Sequence, residues 1–202
     1  MRRNWIFLLA IVSLIAFGCK KNETTTSDTA TTDTYASTTS TSATNTPATT
    51  STTGTSASVS EADKTFMAKA AQGGMAEVAL GQMAATKAAS NDVKDFANRM
   101  VNDHTKANDE LKQLAANKGV TLPADLDAES KKTSDELSKK TGKAFDKAYM
   151  SEMVKGHQKV AADFEKESKA AQDPDLKAWV TKTLPTIQDH LKMAKQINAK
   201  LK

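Results

Sequence analysis

The chain has 202 residues, 26% of them charged, and carries 28 Lys and Arg against 24 Asp and Glu, a formal charge of +4. These charges are spread along the chain instead of clustered, which gives no case for nucleic acid or an anionic membrane surface as partner. A single cysteine excludes an intrachain disulfide.

Residues 1–18 have the layout of an export signal: Arg2 and Arg3, an apolar run from Trp5 to Phe17 too short to span a bilayer, then Gly18. Ala16-Phe17-Gly18-Cys19 resembles the lipobox of bacterial lipoproteins, with Ala16 where that motif usually has leucine. The resemblance implies cleavage before Cys19, acylation of that cysteine and a lipid anchor in the bacterial cell envelope, at the outer membrane. Loss of Arg2 and Arg3 with the leader leaves 26 basic against 24 acidic residues. Residues 19–60 are mostly Thr, Ser, Ala, Asp and Asn and lack a large aliphatic until Val59. Such a segment cannot bury enough apolar surface to repay its ordering entropy, so a disordered tether is expected. Within it, Asp28-Thr29-Ala30 resembles a glycan acceptor motif of some Bacteroidetes envelope proteins.

After Ser60 the composition shifts to Ala, Lys, Leu, Met, Glu and Asp with apolar residues three and four apart, the pattern of amphipathic helices. Residues 61–202 are expected to form one all-α domain, a ferritin-like up-down four-helix bundle. Ser60-Glu61-Ala62-Asp63 starts the first long helix, and Ser90-Asn91-Asp92 ends it and opens the second with almost no loop. The second stops at Lys118-Gly119, where glycine suits a helix end. A short polar helix over about 128–140 lies on the outside. The third long helix runs from about Lys143 to Ala171, and Asp173-Pro174 opens the fourth. Pro185 removes one backbone bond inside the fourth helix and should bend it. No stretch alternates with period two, so no strand is expected.

Each long helix carries an apolar stripe with one strongly polar member. The first reads Phe66, Ala70, Gly73, Glu77, Leu80, Ala84; the second Val93, Ala97, Met100, His104, Ala107, Leu111. The third reads Tyr149, Met153, His157, Val160, Phe164, and the fourth Leu176, Val180, Thr183, Ile187, His190, Ala194. Counting from the helix ends at about 1.5 Å per residue puts Glu77, His104, His157 and His190 in one layer at mid-height. Phe96-x-x-x-Met100-Val101-x-x-His104 recurs as Tyr149-x-x-x-Met153-Val154-x-x-His157, by duplication or by convergent packing. Gly73, Gly74 and Gly81 flank Glu77 and permit close helix approach. The methionines are most simply core filler.

These residues, from Gly73-Gly74-Met75-Ala76-Glu77 through Met100-Val101-x-Asp103-His104, Phe145-Asp146-x-x-Tyr149 and His157 to Leu184-Pro185 and His190, resemble the bacterial family catalogued as domain of unknown function 4142. The resemblance covers Glu61 to Lys202 and implies a ferritin-like bundle in an exported or outer-membrane protein, with no established activity.

Two readings of the layer stay open. Three imidazoles and one carboxylate suit one divalent ion, Zn, Fe, Cu or Mn, with Asp103, Asp189 and Tyr149 behind the ligands. Val101, Val154 and Ile187 stand three before the histidines, where a di-iron bundle needs glutamates. The alternative is a metal-free polar network that sets helix register in a bundle acting through its surface, in stress tolerance or contact with a protein partner of unknown kind. No catalytic residues are identified: no Ser or Thr sits with a histidine and an orienting carboxylate, there is no phosphate-binding loop, and a four-helix core is expected to leave little room for substrate.

Overall fold

In the computed structural model, residues 58–201 are described and form five helices and no strand. The leader, Cys19 and nearly all of the tether lie outside the described residues. The helices are α1 (Glu61–Lys87), α2 (Asn91–Asn117), α3 (Ala128–Ser138), α4 (Gly142–Ala170) and α5 (Pro174–Lys200). Among the described residues no helix is long and apolar enough to cross a membrane.

Local chemistry sets these boundaries. Ser60 accepts the Asp63 N–H at 3.1 Å, Asp127 accepts that of Ser130, and Asp173 accepts those of Asp175 and Leu176, each satisfying donors that a helix start leaves free. Gly119, at φ 64°, closes α2: its N–H reaches Ala116 O at 3.2 Å and that of Val120 reaches Ala115 O at 2.8 Å. This double bond pattern needs the left-handed conformation that glycine adopts without strain. Ser90 makes no side-chain cap of its own. Asp146 of α4 caps that turn instead, accepting the N–H groups of Ala89 at 3.0 Å and Ser90 at 2.8 Å. The mirror arrangement holds at the other end, where Asp63 of α1 accepts the N–H groups of Gln172 and Asp173 in the α4–α5 turn.

These cross-braces fix the chain directions. The first turn of α4 lies beside the α1–α2 turn, so the connection holding α3 carries the chain back along the bundle and α4 runs parallel to α2. Around the bundle the order is α1, α2, α5, α4, every neighbouring pair antiparallel. His104 and His157 share a height because each sits near the middle of its helix.

A gapless register that pairs Asp63 with Asp146 also pairs Phe66-Met67 with Tyr149-Met150, the helix ends Ala88 and Ala171, the caps Ser90 and Asp173, and Phe96 with Trp179. The α1–α2 hairpin is therefore repeated as α4–α5. The Phe96…His104 and Tyr149…His157 resemblance crosses this register, since α2 has its counterpart in α5.

Two apolar clusters fill the bundle. One gathers Leu80, Phe96, Met100, Phe145, Tyr149 and Met153; the other Met67, Leu111, Phe164, Leu176, Trp179 and Ile187. The stripe expected in the first half of α1 is displaced by one residue: Met67, Ala71 and Gly74 are buried, while Phe66, Ala70 and Gly73 are half-buried. Gly74 marks a close approach, because a Cβ there would stand 2.0 Å from Asn108 Oδ1, and at Gly81 one would stand 2.9 Å from Val101 Cγ2. At Gly73 a Cβ meets nothing within 4 Å, so this glycine contributes no close packing. Gly73→Ala is expected to stabilise the domain by up to about 1 kcal/mol through helix propensity alone. Gly74→Ala is expected to destabilise it, and paired urea melts with opposite signs check both.

Candidate metal centre

The middle turns of α2, α4 and α5 bring His104, His157 and His190 together, with one ring nitrogen from each lying within 4.8 Å of the others. The ring centroids are 5.2 to 5.8 Å apart. All three side chains are buried, His157 and His190 completely. Nothing in two apolar clusters demands three imidazoles at their centre, so their hydrogen bonds decide what they can do.

His157 Nδ1 lies 2.9 Å from Met153 O. A carbonyl only accepts, so Nδ1 carries the proton and Nε2 holds a free lone pair. That Nε2 is buried and has no partner. His190 repeats the logic with its nitrogens exchanged: Nε2 lies 2.9 Å from Asp103 Oδ2, which fixes the proton there, and Nδ1 is buried without a partner. An anchored N–H opposite an unused lone pair is how a protein orients an imidazole toward a cation.

Glu77 borders the cluster from α1. Its Oε2 stands 2.8 Å from His104 Nε2 and its Oε1 3.3 Å from His157 Nδ1. The first contact is short but off the axis of a hydrogen bond, and His104 Nε2 is left without an acceptor. Because Glu77 meets the proton-bearing nitrogen of His157, it faces away from that ring's free lone pair. It acts as the anionic neighbour of a three-imidazole set.

Burial alone would raise the Glu77 carboxyl, but the charges of His104 and His157 outweigh it and hold the group down at about 2. Burial likewise pulls His104 down, and the carboxylate of Glu77 more than reverses this, leaving it above its ordinary 6.5. Burial wins at His157, which is lowered, and at His190, which falls to about 4 despite its bond to Asp103. Two of the three imidazoles are thus held neutral, the form that ligates a metal.

The signs give a pH prediction for the metal-free protein. Unfolded His190 titrates near 6.5 and folded His190 near 4, so the unfolded chain binds more protons between those values and stability falls as pH drops through them. Glu77 is depressed, so its contribution is present above 4.5 and lost as pH falls toward about 2. His104 has the opposite sign, its contribution being complete below 6.5 and lost as pH rises. Melting temperatures of the metal-free chain should therefore fall from pH 6.5 to pH 4 and again below 4.5; a flat profile would contradict the assignment of neutral His190.

Of the residues expected behind the ligands, Asp103 reaches across from α2 to His190 and also receives the Arg99 guanidinium at 3.3 Å. Burial opposes but these bonds dominate, holding its carboxyl below the ordinary range. Asp189 does not join: it is 66% exposed and only approaches Arg99 at 3.9 Å. Tyr149 is fully buried between Phe96 and Phe145 with no partner for its hydroxyl among the described residues. Burial, then the charge of Glu77, pushes its phenol up. Its ring belongs to an aromatic stack, within reach of the Glu77 charge. Sequence reasoning missed Met153 O, whose signal is only that it lies one helical turn before His157.

A cavity of about 830 Å³, open to solvent on one side, is lined by Glu77 and His104, along with Phe66, Phe164, Trp179 and Ile187. One ion bonded tetrahedrally to all three nitrogens at about 2.0 Å would need them roughly 3.3 Å apart, so the rings would have to move inward from the 4.8 Å within which they lie.

A family model described as Domain of unknown function (DUF4142) matches residues 48–197. No curated protein matches. Among solved structures the chain is similar to a DUF305 fragment from Deinococcus radiodurans, at TM-score 0.64 and 11% identity over 70% of this chain and 98% of that one. It is also similar to CopM in its Cu(II)-bound form, at TM-score 0.56 and 19% identity over 68% and 97% of the two chains. The Cu(I)-bound form of CopM gives TM-score 0.56 and 17% identity over 66% and 93%. At these identities the likeness concerns the fold.

Proposed function

We propose that this chain, which belongs to the DUF4142 family, is a metal-binding protein of the bacterial envelope that holds one transition-metal ion between His104, His157 and His190. One observation carries the reading: His157 Nε2 and His190 Nδ1 are buried lone pairs with no partner, in rings whose other nitrogens are already anchored. A buried polar atom without a partner costs about 1–3 kcal/mol, and two of them around one point suit a bound cation better than a self-satisfied network. Glu77 supplies negative charge beside the ion, and Asp103 holds the His190 tautomer.

Copper is the first metal to test. Imidazole donors suit it, and among divalent ions of the first transition row copper binds such sites most tightly. CopM, similar in fold, has been solved with copper and with silver bound. When bound, copper would bring one-electron chemistry or simple sequestration to the site. Cys19 as a lipid anchor and residues 19–60 as a tether complete the reading, which places the bundle at the membrane surface.

Elemental analysis tests it. The full chain, purified without a histidine tag from cells supplied with copper, zinc, iron and manganese, is expected to retain about one equivalent of a single metal. The variant carrying His104→Ala, His157→Ala and His190→Ala is expected to retain none; equal metal content in the two would refute the assignment.

A further inference from the structure

The register between the two hairpins pairs the polar layer with residues that line the cavity. In the register that pairs Asp63 with Asp146, His157 is paired with Gly74, His190 with Ala107, Glu77 with Val160 and His104 with Ile187. Gly74, Ala107, Val160 and Ile187 all line the 830 Å³ space. Where the second hairpin places two imidazoles, the first places a hydrogen atom and a methyl group; Asn108 packs over Gly74, and the Ala107 side borders the cavity. His157 and His190 are fully buried, while Glu77 and His104 keep 12% and 10% of their side chains exposed and both line the cavity.

The wall has a definite chemistry. Phe66, Phe164 and Trp179 run along it in edge and tilted contacts with centroids 5.1 and 5.6 Å apart. Trp179 is 8% exposed, and its indole N–H has no acceptor among the described residues. The lining holds three lysines against six Asp and Glu residues, so its charge disfavours an anion. A pocket of roughly 300–1,000 Å³ with an aromatic wall is a usual form of a small-molecule site. The Glu77 carboxylate in the lining likewise disfavours an anionic head group.

We propose that this cavity binds a neutral aromatic molecule carrying one nitrogen or hydroxyl donor, its ring against Phe66, Phe164 and Trp179 and its donor at the Glu77–His104 edge of the metal cluster. The proposal rests on the metal reading, because three protein ligands leave a position for an outside donor.

The probes are imidazole and 4-phenylimidazole, which share a donor and differ in the aromatic body. Titrated into the copper-loaded full chain and followed by visible absorption, 4-phenylimidazole is expected to bind at least about tenfold more tightly, the order that burying one phenyl ring supplies. Gly73 lines the cavity and a Cβ there meets nothing within 4 Å, so Gly73→Leu is the first plug. That variant is expected to keep one equivalent of copper and the affinity for imidazole, and to lose the preference for 4-phenylimidazole. Ala107→Leu is the second plug, used if Gly73→Leu alters the circular dichroism spectrum. Equal affinities in the parent, or a preference that survives both plugs, would overturn the proposal. Retention of no metal by the parent defeats the metal reading separately. The cavity is then judged by calorimetry with 4-phenylimidazole on the metal-free chain, where weakening by Gly73→Leu upholds the aromatic site and no binding overturns it.

Discussion

The double variant His157→Leu, His190→Leu is expected to melt at a higher temperature than the parent when both are metal-free, and to bind no metal. Leucine nearly conserves the volume of histidine, so little cavity or overpacking cost arises. Each replacement removes a buried lone pair without a partner, a burden of about 1–3 kcal/mol, and breaks one bond, His157 to Met153 O or His190 to Asp103. Asp103 keeps Arg99 and is one-third exposed, so it tolerates the loss. The net gain is on the order of 1–3 kcal/mol, which for a domain of this size raises Tm by roughly 3–9 °C. A register-setting polar network predicts the opposite sign, because losing its members would destabilise the bundle. Differential scanning calorimetry on chelator-treated protein separates the two. Glu77→Gln is a graded companion: it keeps shape, removes the charge beside the ion, and should weaken metal binding about tenfold, within the range for outer partners of metal sites.

Asp146→Ala is expected to be the most destabilising single change outside the cluster. Asp146 is 1% exposed and accepts two backbone N–H groups from the α1–α2 turn. Alanine strands both donors in a partly buried turn and severs the link between the hairpins, for about 2–4 kcal/mol, or a fall in Tm on the order of 6–12 °C. Asp63→Ala should act likewise at the α4–α5 turn, though less strongly. Asp63 stands beside Glu167, whose carboxyl is pushed up by burial first and then by the charge of Asp63, and removing Asp63 relieves that burden. Chemical denaturation of the two variants checks the order. Asp146→Ala costing no more than a surface substitution would show that the cross-braces do not hold the hairpins together.

Much of this architecture is legible in the sequence because helix signals are local. Ser60, Asp173-Pro174 and Gly119 mark ends that depend on neighbours within a few residues, and they fall where the chain chemistry puts them. The mid-height layer is legible for a similar reason: His104, His157 and His190 each sit near the centre of a long helix, so their levels agree whichever ends meet. What depends on long-range pairing is not legible. Asp63 and Asp146 look like ordinary first-turn carboxylates until the fold sets each against the opposite hairpin. The first half of α1 misleads because Phe66 and Ala70 offer an apolar stripe as good as Met67 and Ala71, and only packing chooses between them. Asp103 becomes a partner of His190 because the bundle order sets α2 beside α5, whereas Asp189, with the same position before a histidine, turns to solvent.

X-ray absorption at the copper edge of the metal-loaded full chain tests the central claim most directly. Three imidazole nitrogens at about 2.0 Å, with the outer-shell scattering that imidazole rings give, are predicted, and the His104→Ala, His157→Ala, His190→Ala variant should lack that pattern. A first shell dominated by sulfur at about 2.3 Å, or one of oxygens alone that persists in the triple variant, would place the metal elsewhere and contradict the account.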